Sequence, residues 1–458
     1  MVNSVTTRSS ARIIPLTLIL ILLVPVIVAC GGDNATPTPT PRSVATPPPA
    51  ADTHGVQSPF NSASPEASPV GTAPILNPAT PLTPGPATPL ATPAQARNLT
   101  PAELVKYQPN EIGSIPIFMY HNIVKDPTLE GHLYRTVDEF YNDLQWLYDH
   151  DFYLVGMNDV VRGTIDVPAG KHPAVLTFDD SSSMHLSFEM GPDGQPLRDE
   201  NGDFVISPDC AVGIIERFAK THPDFGATAH FSTIPVFKFS WPEYEQDEWY
   251  EEKVQWLVAN DYEIGNHTSD HVDMTQLTDE DFARNIAEPY IWIGDMVDPN
   301  DPNFAMGVLT LPYGAYPEGG WSGLKLEYLT NTFVWDGNEI NVEGAMLVCC
   351  GTSPSRFNTE FARLWIPRIR GDDPDFARLQ EEIEKGWIIL YTSDGNPETI
   401  TVPWPLPEYH WGKLDVEGVT NSGLTLVKYH PKTGKIYKAL GPQDRREYTC
   451  REQSHASA

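Results

Sequence analysis

The chain has 458 residues, 44 of them Pro, and 17 of those Pro fall between Pro37 and Pro101. That stretch has few charges and Phe60 as its only aromatic residue, so it cannot bury enough apolar surface to offset the entropy of ordering. The net charge of −31 resides in the remainder, because residues 1–100 carry four Arg against three acids. A body that acidic is repelled by phosphate backbones, which argues against nucleic acid as a partner.

At the N-terminus, Arg8 and Arg12 precede the apolar run Ile13 to Val28. Sixteen residues, with Pro15 and Pro25 among them, fall short of the roughly 20 that a spanning helix needs. A basic start, an apolar middle and small residues at the end describe an export signal. The run closes on Val28-Ala29-Cys30, followed by Gly31-Gly32, and resembles a bacterial lipobox. That resemblance implies a lipid on Cys30 and a protein exported to the cell surface or periplasm and held at the membrane. The Pro/Thr/Ala-rich segment after Cys30 then reads as a tether.

Beyond residue 110 the pattern alternates between short apolar runs and amphipathic stretches. Ile115 to Tyr120 and Ala174 to Phe178 read as buried strands. Thr136-Val-Asp-Glu139 is a capping box, with Phe140, Leu144 and Leu147 on the apolar face of the helix it opens. Further strands are expected at Ala227–Ser232, Tyr262–Gly265, Gly307–Leu311, Thr332–Trp335, Leu364–Ile369 and Trp387–Tyr391, with helices at Ala211–Lys220, Glu251–Asn260 and from Thr278 to about Val297. Seven or eight strand–helix units imply parallel pairing and a closed or nearly closed (β/α) barrel. Between Ser181 and Asp209 the turn signals Pro192-Asp-Gly194 and Asn201-Gly202 indicate an inserted hairpin. Val402 to Cys450, with Lys432–Lys435 as a turn, reads as a small β-rich extension.

Reactive residues gather where the expected strands end. Asp179-Asp180 follows the strand ending at Phe178, and neighbouring carboxylates pointing apart can do different work. His267 and His271, spaced i and i+4 after another strand, suit one face of a helical turn and a shared metal. Two His and one carboxylate match the ligand set of hydrolytic zinc sites. Leu311-Pro-Tyr-Gly314 follows a third strand, and the Tyr313 N–H is a candidate for facing an oxyanion. Trp241, Trp321, Trp335 and Trp411 are candidates for a sugar platform, with core packing as the default. Of the five cysteines, Cys210, Cys349, Cys350 and Cys450 remain besides Cys30. None forms a CxxC, and one disulfide is allowed without its pairing being fixed.

Thr177-Phe-Asp-Asp180, His267-x-x-x-His271 and Pro312-Tyr-Gly314, in that order, resemble the first three motifs of the polysaccharide deacetylase family (NodB homology domain). Ile115 to His121 and Ile366-Pro-Arg-Ile369 resemble further strands of the same family. The resemblance covers about residues 113–395 and implies a distorted (β/α) barrel. The domain plan is therefore a signal peptide over 1–30, a linker over 31–105, the barrel over 106–400 and the extension over 401–458. By position, Asp180, His267 and His271 would hold a divalent metal, zinc first. Asp179 would be the general base that takes a proton from the attacking water, and the Tyr313 N–H would stabilise the oxyanion.

The expected activity is removal of N-acetyl groups from a polysaccharide or cell-wall glycan. The alternatives are a non-catalytic carbohydrate-binding lipoprotein, or a hydrolase of another C–N or ester bond. Three positions depart from the family pattern. Ser181 stands where Gly follows Asp-Asp, and Thr310 where an Arg often orients the base. Thr392 stands where a His protonates the leaving amine; Asp394 is the first substitute for that acid, with His121, His410 and His430 as others.

Overall fold

The computed structural model describes residues 97–441 except 127, 130, 132, 241–245, 372 and 408–412. The export signal with Cys30, most of the linker, Trp241, His410, Trp411 and Cys450 lie outside the described residues. Among the described residues no helix is long and apolar enough to cross a membrane.

Seven strands form the barrel: β1 Ile117–Tyr120, β2 His172–Phe178, β3 His230–Thr233, β4 Glu263–Asn266, β5 Phe304–Thr310, β6 Gly344–Cys350 and β7 Ile366–Arg370. Each pairs in parallel with the next in chain order. The ring closes where Ile369 and Arg370 of β7 meet Phe118 and Met119 of β1. Helices α1 Val137–Asp149, α2 Ala211–Thr221, α3 Tyr250–Ala259, α4 Asp279–Gly294 and α5 Gly323–Thr330 connect successive strands up to β6, and α6 Asp373–Glu384 follows β7. The link from β6 to β7 contains no helix, so the barrel is a distorted (β/α) one.

The strands obey the period of two. Phe118, Tyr120, Leu176, Phe178 and Phe231 face outward and pack with Phe140, Leu144 and Phe218 of the helices. Ile117, Val175, Val308, Met346 and Ile366 face inward and fill the lower barrel. That alternation carries Thr177 and then Asp179 to the inner side as well. Capping boxes behave as their sequence predicts: the Thr136 hydroxyl accepts from the Glu139 N–H, and the Glu139 carboxylate accepts from the Thr136 N–H.

Two expected strands are not barrel strands. Phe333–Trp335 pairs antiparallel with Asn338–Ile340 in a hairpin. Its turn, Asp336-Gly337, has both φ positive, at 46° and 82°, the two-residue arrangement that Asp-Gly favours. Trp387–Tyr391 is no strand of the ring: Leu390 bridges to Ser114 and Thr392 to Asn110, and Trp387 is 66% exposed. The inserted hairpin forms, through the bridges Phe188↔Ile206, Met190↔Pro196 and Arg198↔Phe204.

The C-terminal extension is a three-stranded sheet of Thr399–Pro403, Thr425–Tyr429 and Ile436–Leu440. It begins a little before residue 401. A short helix, Pro101–Tyr107, spans the boundary expected between linker and barrel. It is capped by Thr100 and Glu103, and its Leu104 packs with Leu99 and Tyr429.

Candidate active site

A cavity of about 850 Å³ opens at the C-terminal ends of the strands. Asp179 and Asp180 enter it just past β2, and His267 and His271 past β4. Tyr313 lies past β5, Cys349 and Cys350 at the end of β6, and His121 past β1. In a parallel barrel these ends are where reactive side chains converge.

Asp179 is 1% exposed. Both of its oxygens accept hydrogen bonds from Arg368 on β7, Nη1 to Oδ1 and Nη2 to Oδ2, each 2.8 Å. Arg368 is itself fully buried and also bonds the Thr177 hydroxyl and the Leu347 carbonyl. Burial would raise the Asp179 pKa, but the Arg368 guanidinium outweighs it and holds the carboxyl well below the usual carboxylate range. Asp179 is thus an ionised acceptor at neutral pH.

Asp180 turns away from its neighbour, with φ +74°. Its Oδ1 lies 3.2 Å from His267 Nε2 and 3.2 Å from His271 Nε2. Despite that proximity Oδ1 is buried without a hydrogen bond of ordinary geometry. The three ligand atoms lie within 4.8 Å of one another. Donors about 2.0–2.1 Å from a tetrahedral zinc stand roughly 3.3 Å apart, so these residues fit a divalent ion. The His267 Nδ1–H donates to the Thr310 carbonyl at 3.0 Å, which directs the Nε2 lone pair at the same point. Burial lowers the His267 pKa, but the Asp180 carboxylate more than offsets this and raises it.

The histidines are not on a helical turn. Residues 267–273 form a loop after β4, with φ positive at Thr268 (68°) and His271 (48°). The Thr268 hydroxyl accepts from the His271 N–H, and the Tyr313 hydroxyl donates to the His271 carbonyl at 3.2 Å. Tyr313 has φ +59° in a turn where the Gly314 and Ala315 N–H groups bond back to Leu311 and Pro312. Ser181, at φ +50°, holds the position expected for Gly: its Oγ lies 2.9 Å from the Thr233 hydroxyl and accepts from the Ile234 N–H at 2.7 Å.

Asp394 is not at this site. It accepts from the Thr399 and Thr401 hydroxyls and the Asn396 N–H, beside the buried Glu111. Thr392 lies 3.3 Å from His172 Nδ1, at the opposite, N-terminal end of β2. The family's last motif has therefore no counterpart at Thr392 in this cavity. His121 does line it, with a buried Nδ1 that has no hydrogen-bond partner among the described residues. Burial lowers its pKa, against Asp180 and Asp179, which raise it. Arg368 was missed as the partner of Asp179; its signal was a lone Arg in the apolar strand Ile366–Ile369. Trp321 is a core residue, 7% exposed and packed on Phe282. His430 sits in the turn of the C-terminal sheet, remote from the cavity.

Comparison with known proteins adds sequence evidence. Residues 222–326 match the sequence model of the polysaccharide deacetylase family. None of the curated proteins compared matches the chain. Among solved structures, the Streptococcus pyogenes deacetylase PplD is 18% identical over 58% of this chain and 97% of its own, with a TM-score of 0.40. The putative polysaccharide deacetylase BA0330 from Bacillus anthracis is 13% identical over 58% and 68%, with a TM-score of 0.39. IcaB from Ammonifex degensii is 13% identical over 59% and 96%, with a TM-score of 0.38. The segment from 222 to 326, which contributes His267, His271 and Tyr313 to the cavity, carries the sequence pattern of the polysaccharide deacetylases.

Proposed function

We propose that the protein hydrolyses N-acetyl groups on a polysaccharide or cell-wall glycan, using a divalent ion of the zinc class held by Asp180, His267 and His271. The observation that carries this is the approach of Asp180 Oδ1 to both Nε2 atoms at 3.2 Å. When bound, such an ion polarises an amide carbonyl and lowers the pKa of water toward neutrality. Asp179, ionised and fixed by Arg368, accepts the proton of the attacking water. The Tyr313 N–H donates to the oxyanion as it forms. His121, which lines the cavity, is the candidate acid for the departing amine, which cannot leave as an anion; burial lowers its pKa, so it must take up a proton before it can serve. It takes the role for which Asp394 was the first candidate.

The protein acts outside the cytosol, tethered through lipid on Cys30. The adjacent cysteines 349 and 350 are joined in a disulfide, a bond that persists in oxidising compartments, and this supports export. Cys30→Ser should release the protein from membranes; a variant that stays bound and uncleaved would argue for a signal anchor.

The test of the reaction is acetate release by zinc-loaded protein from a panel of N-acetylated glycans, with acetyl esters and cyclic amides alongside. Acetate from the glycans, lost on chelation and in His267→Ala/His271→Ala, is the expected result. Turnover of the esters or cyclic amides alone would replace the glycan reading with another hydrolase.

A further inference from the structure

The cavity has a wall that the proposed chemistry does not use. Cys349 and Cys350 end β6, are both exposed, and line the same cavity as Asp180 and the two histidines. Their sulfurs are bonded to each other. Consecutive residues of a strand direct their side chains to opposite faces. A bond between their sulfurs overrides that alternation and holds both side chains on one side. The backbone accommodates this where the strand ends: Cys350 has φ +93°, in the region that favours glycine, and Gly351 follows at +94°. Non-glycine residues held at such angles cluster at ligand clamps and active sites.

The product is a small, rigid, polarisable surface with no strong hydrogen-bond donor. A polar, flexible side chain in its place would compete for water and lose entropy on binding. This surface does neither. Beside it Val348 lines the cavity, and the Tyr313 ring stands over His271 at 4.9 Å between centroids. The residues given the chemistry are polar groups past β1, β2 and β4, with the Tyr313 N–H past β5. Val348 and the disulfide form an apolar stretch at the end of β6. A glycan has the matching two-sidedness: hydroxyl and acetamide groups at its edge, and C–H groups on the faces of its rings.

Resting on the deacetylase reading of the cavity, we propose that the Cys349–Cys350 disulfide is part of the glycan-binding surface. It is an apolar ledge against which the C–H face of a sugar ring lies, setting which residue of the polymer presents its acetamide to the Asp180 group. The pair is a positioning element and takes no part in bond making. Its contribution is to binding, so it acts on KM and leaves kcat largely alone.

The experiment uses full-length, zinc-loaded protein and a β-linked N-acetylglucosamine tetramer. Binding of the tetramer is measured by calorimetry in the Asp179→Asn background, and acetate release in the wild type. Each is repeated after reduction with a phosphine and in Cys349→Ser/Cys350→Ser, with zinc content determined throughout. The expected result is a three- to tenfold weaker tetramer affinity and an equal rise in KM on both reduction and substitution, on the scale of one small apolar contact. Zinc content and kcat stay within about twofold, and reduction has no effect on the Ser variant. Tetramer binding that ignores both changes overturns the ledge and leaves the deacetylase reading in place. Loss of zinc or of kcat in the Ser variant also overturns it, because the pair would then support the metal residues. Tetramer binding without acetate release, still weakened by reduction, fails the deacetylase reading and keeps the ledge. No binding of the tetramer at all overturns both.

Discussion

At the scale of single residues, the most consequential contact joins positions 189 apart in sequence: Asp179 and Arg368. Both are buried, so removing one partner leaves an uncompensated charge, at a cost of about 3–5 kcal/mol. Arg368→Met should therefore lower stability by roughly that amount. It also removes the main group that holds the Asp179 pKa down, leaving burial, which raises it, against only His267 and His121. Since the proposed base must be ionised, the acid limb of the pH–rate profile should move to higher pH. Arg368→Lys, which keeps a charge, should restore part of the shift. An acid limb that stays in place in Arg368→Met would separate Asp179 from the rate. The proposed acid gives a second test: His121→Gln should lose roughly 10²–10⁴-fold in rate while retaining metal, and full activity would return the search to other groups. That Asp179, Asp180, His267, His271 and Tyr313 meet in one cavity was legible because each motif sits within a few residues of its own strand end. Arg368 was harder to place because its contact with Asp179 depends on ring closure, where β7 meets β1. No local pattern states that a buried Arg on one strand faces a carboxylate on another.

At the scale of elements, strand runs translated well, since the period of two and the apolar runs are local signals. Trp387–Tyr391 failed for the converse reason: its apolar residues do pack, with Ile388 and Leu390 against the outer core and Tyr391 inside the lower barrel, but without a ladder. Its misplacement moved Thr392 and Asp394 to the wrong end of the molecule. Thr392→His should accordingly leave the proposed deacetylation unchanged; a gain would put residue 392 back near the cavity. Asp394 instead belongs to a buried acidic pair joining the barrel to the C-terminal sheet. Glu111 Oε2 accepts from the Thr401 N–H, and Oε1 from the Asp394 N–H. Burial first, and then Asp394, push the Glu111 pKa well above the usual range, and burial raises that of Asp394. A folded pKa above the unfolded one adds stability that is present below the unfolded value and lost as pH rises through the folded one. Stability should therefore decline as pH rises from about 4 through the raised values. Asp394→Asn should flatten that decline, because the Thr399 and Thr401 hydroxyls can rotate to meet an amide. Chemical denaturation at several pH values checks this, and an unchanged slope in the variant would clear the pair of any role.

At the scale of the whole molecule, an acidic chain encloses a pocket that favours a cation. Asp180 arrives from the end of β2 and both histidines from the loop after β4, with β3 between them in the ring. An ion bound there ties together elements that are not neighbours. It binds the folded chain alone, because unfolding scatters residues 180, 267 and 271. The stabilisation follows from mass action: about 2.7 kcal/mol at a free ion concentration one hundred times the Kd. For a folded unit of this size, each kcal/mol moves Tm by roughly 2–4 °C or less. Zinc added to chelator-treated protein should therefore raise Tm by several degrees, in proportion to the logarithm of its concentration once saturating. His267→Ala/His271→Ala should abolish the rise. Asp179→Asn should keep it, because Asp179 is bound to Arg368 and is no member of the ligand set. A thermal shift that vanishes in Asp179→Asn but survives the double His substitution would move the ion to the other carboxylate. Full shifts in both variants would place it elsewhere in the chain.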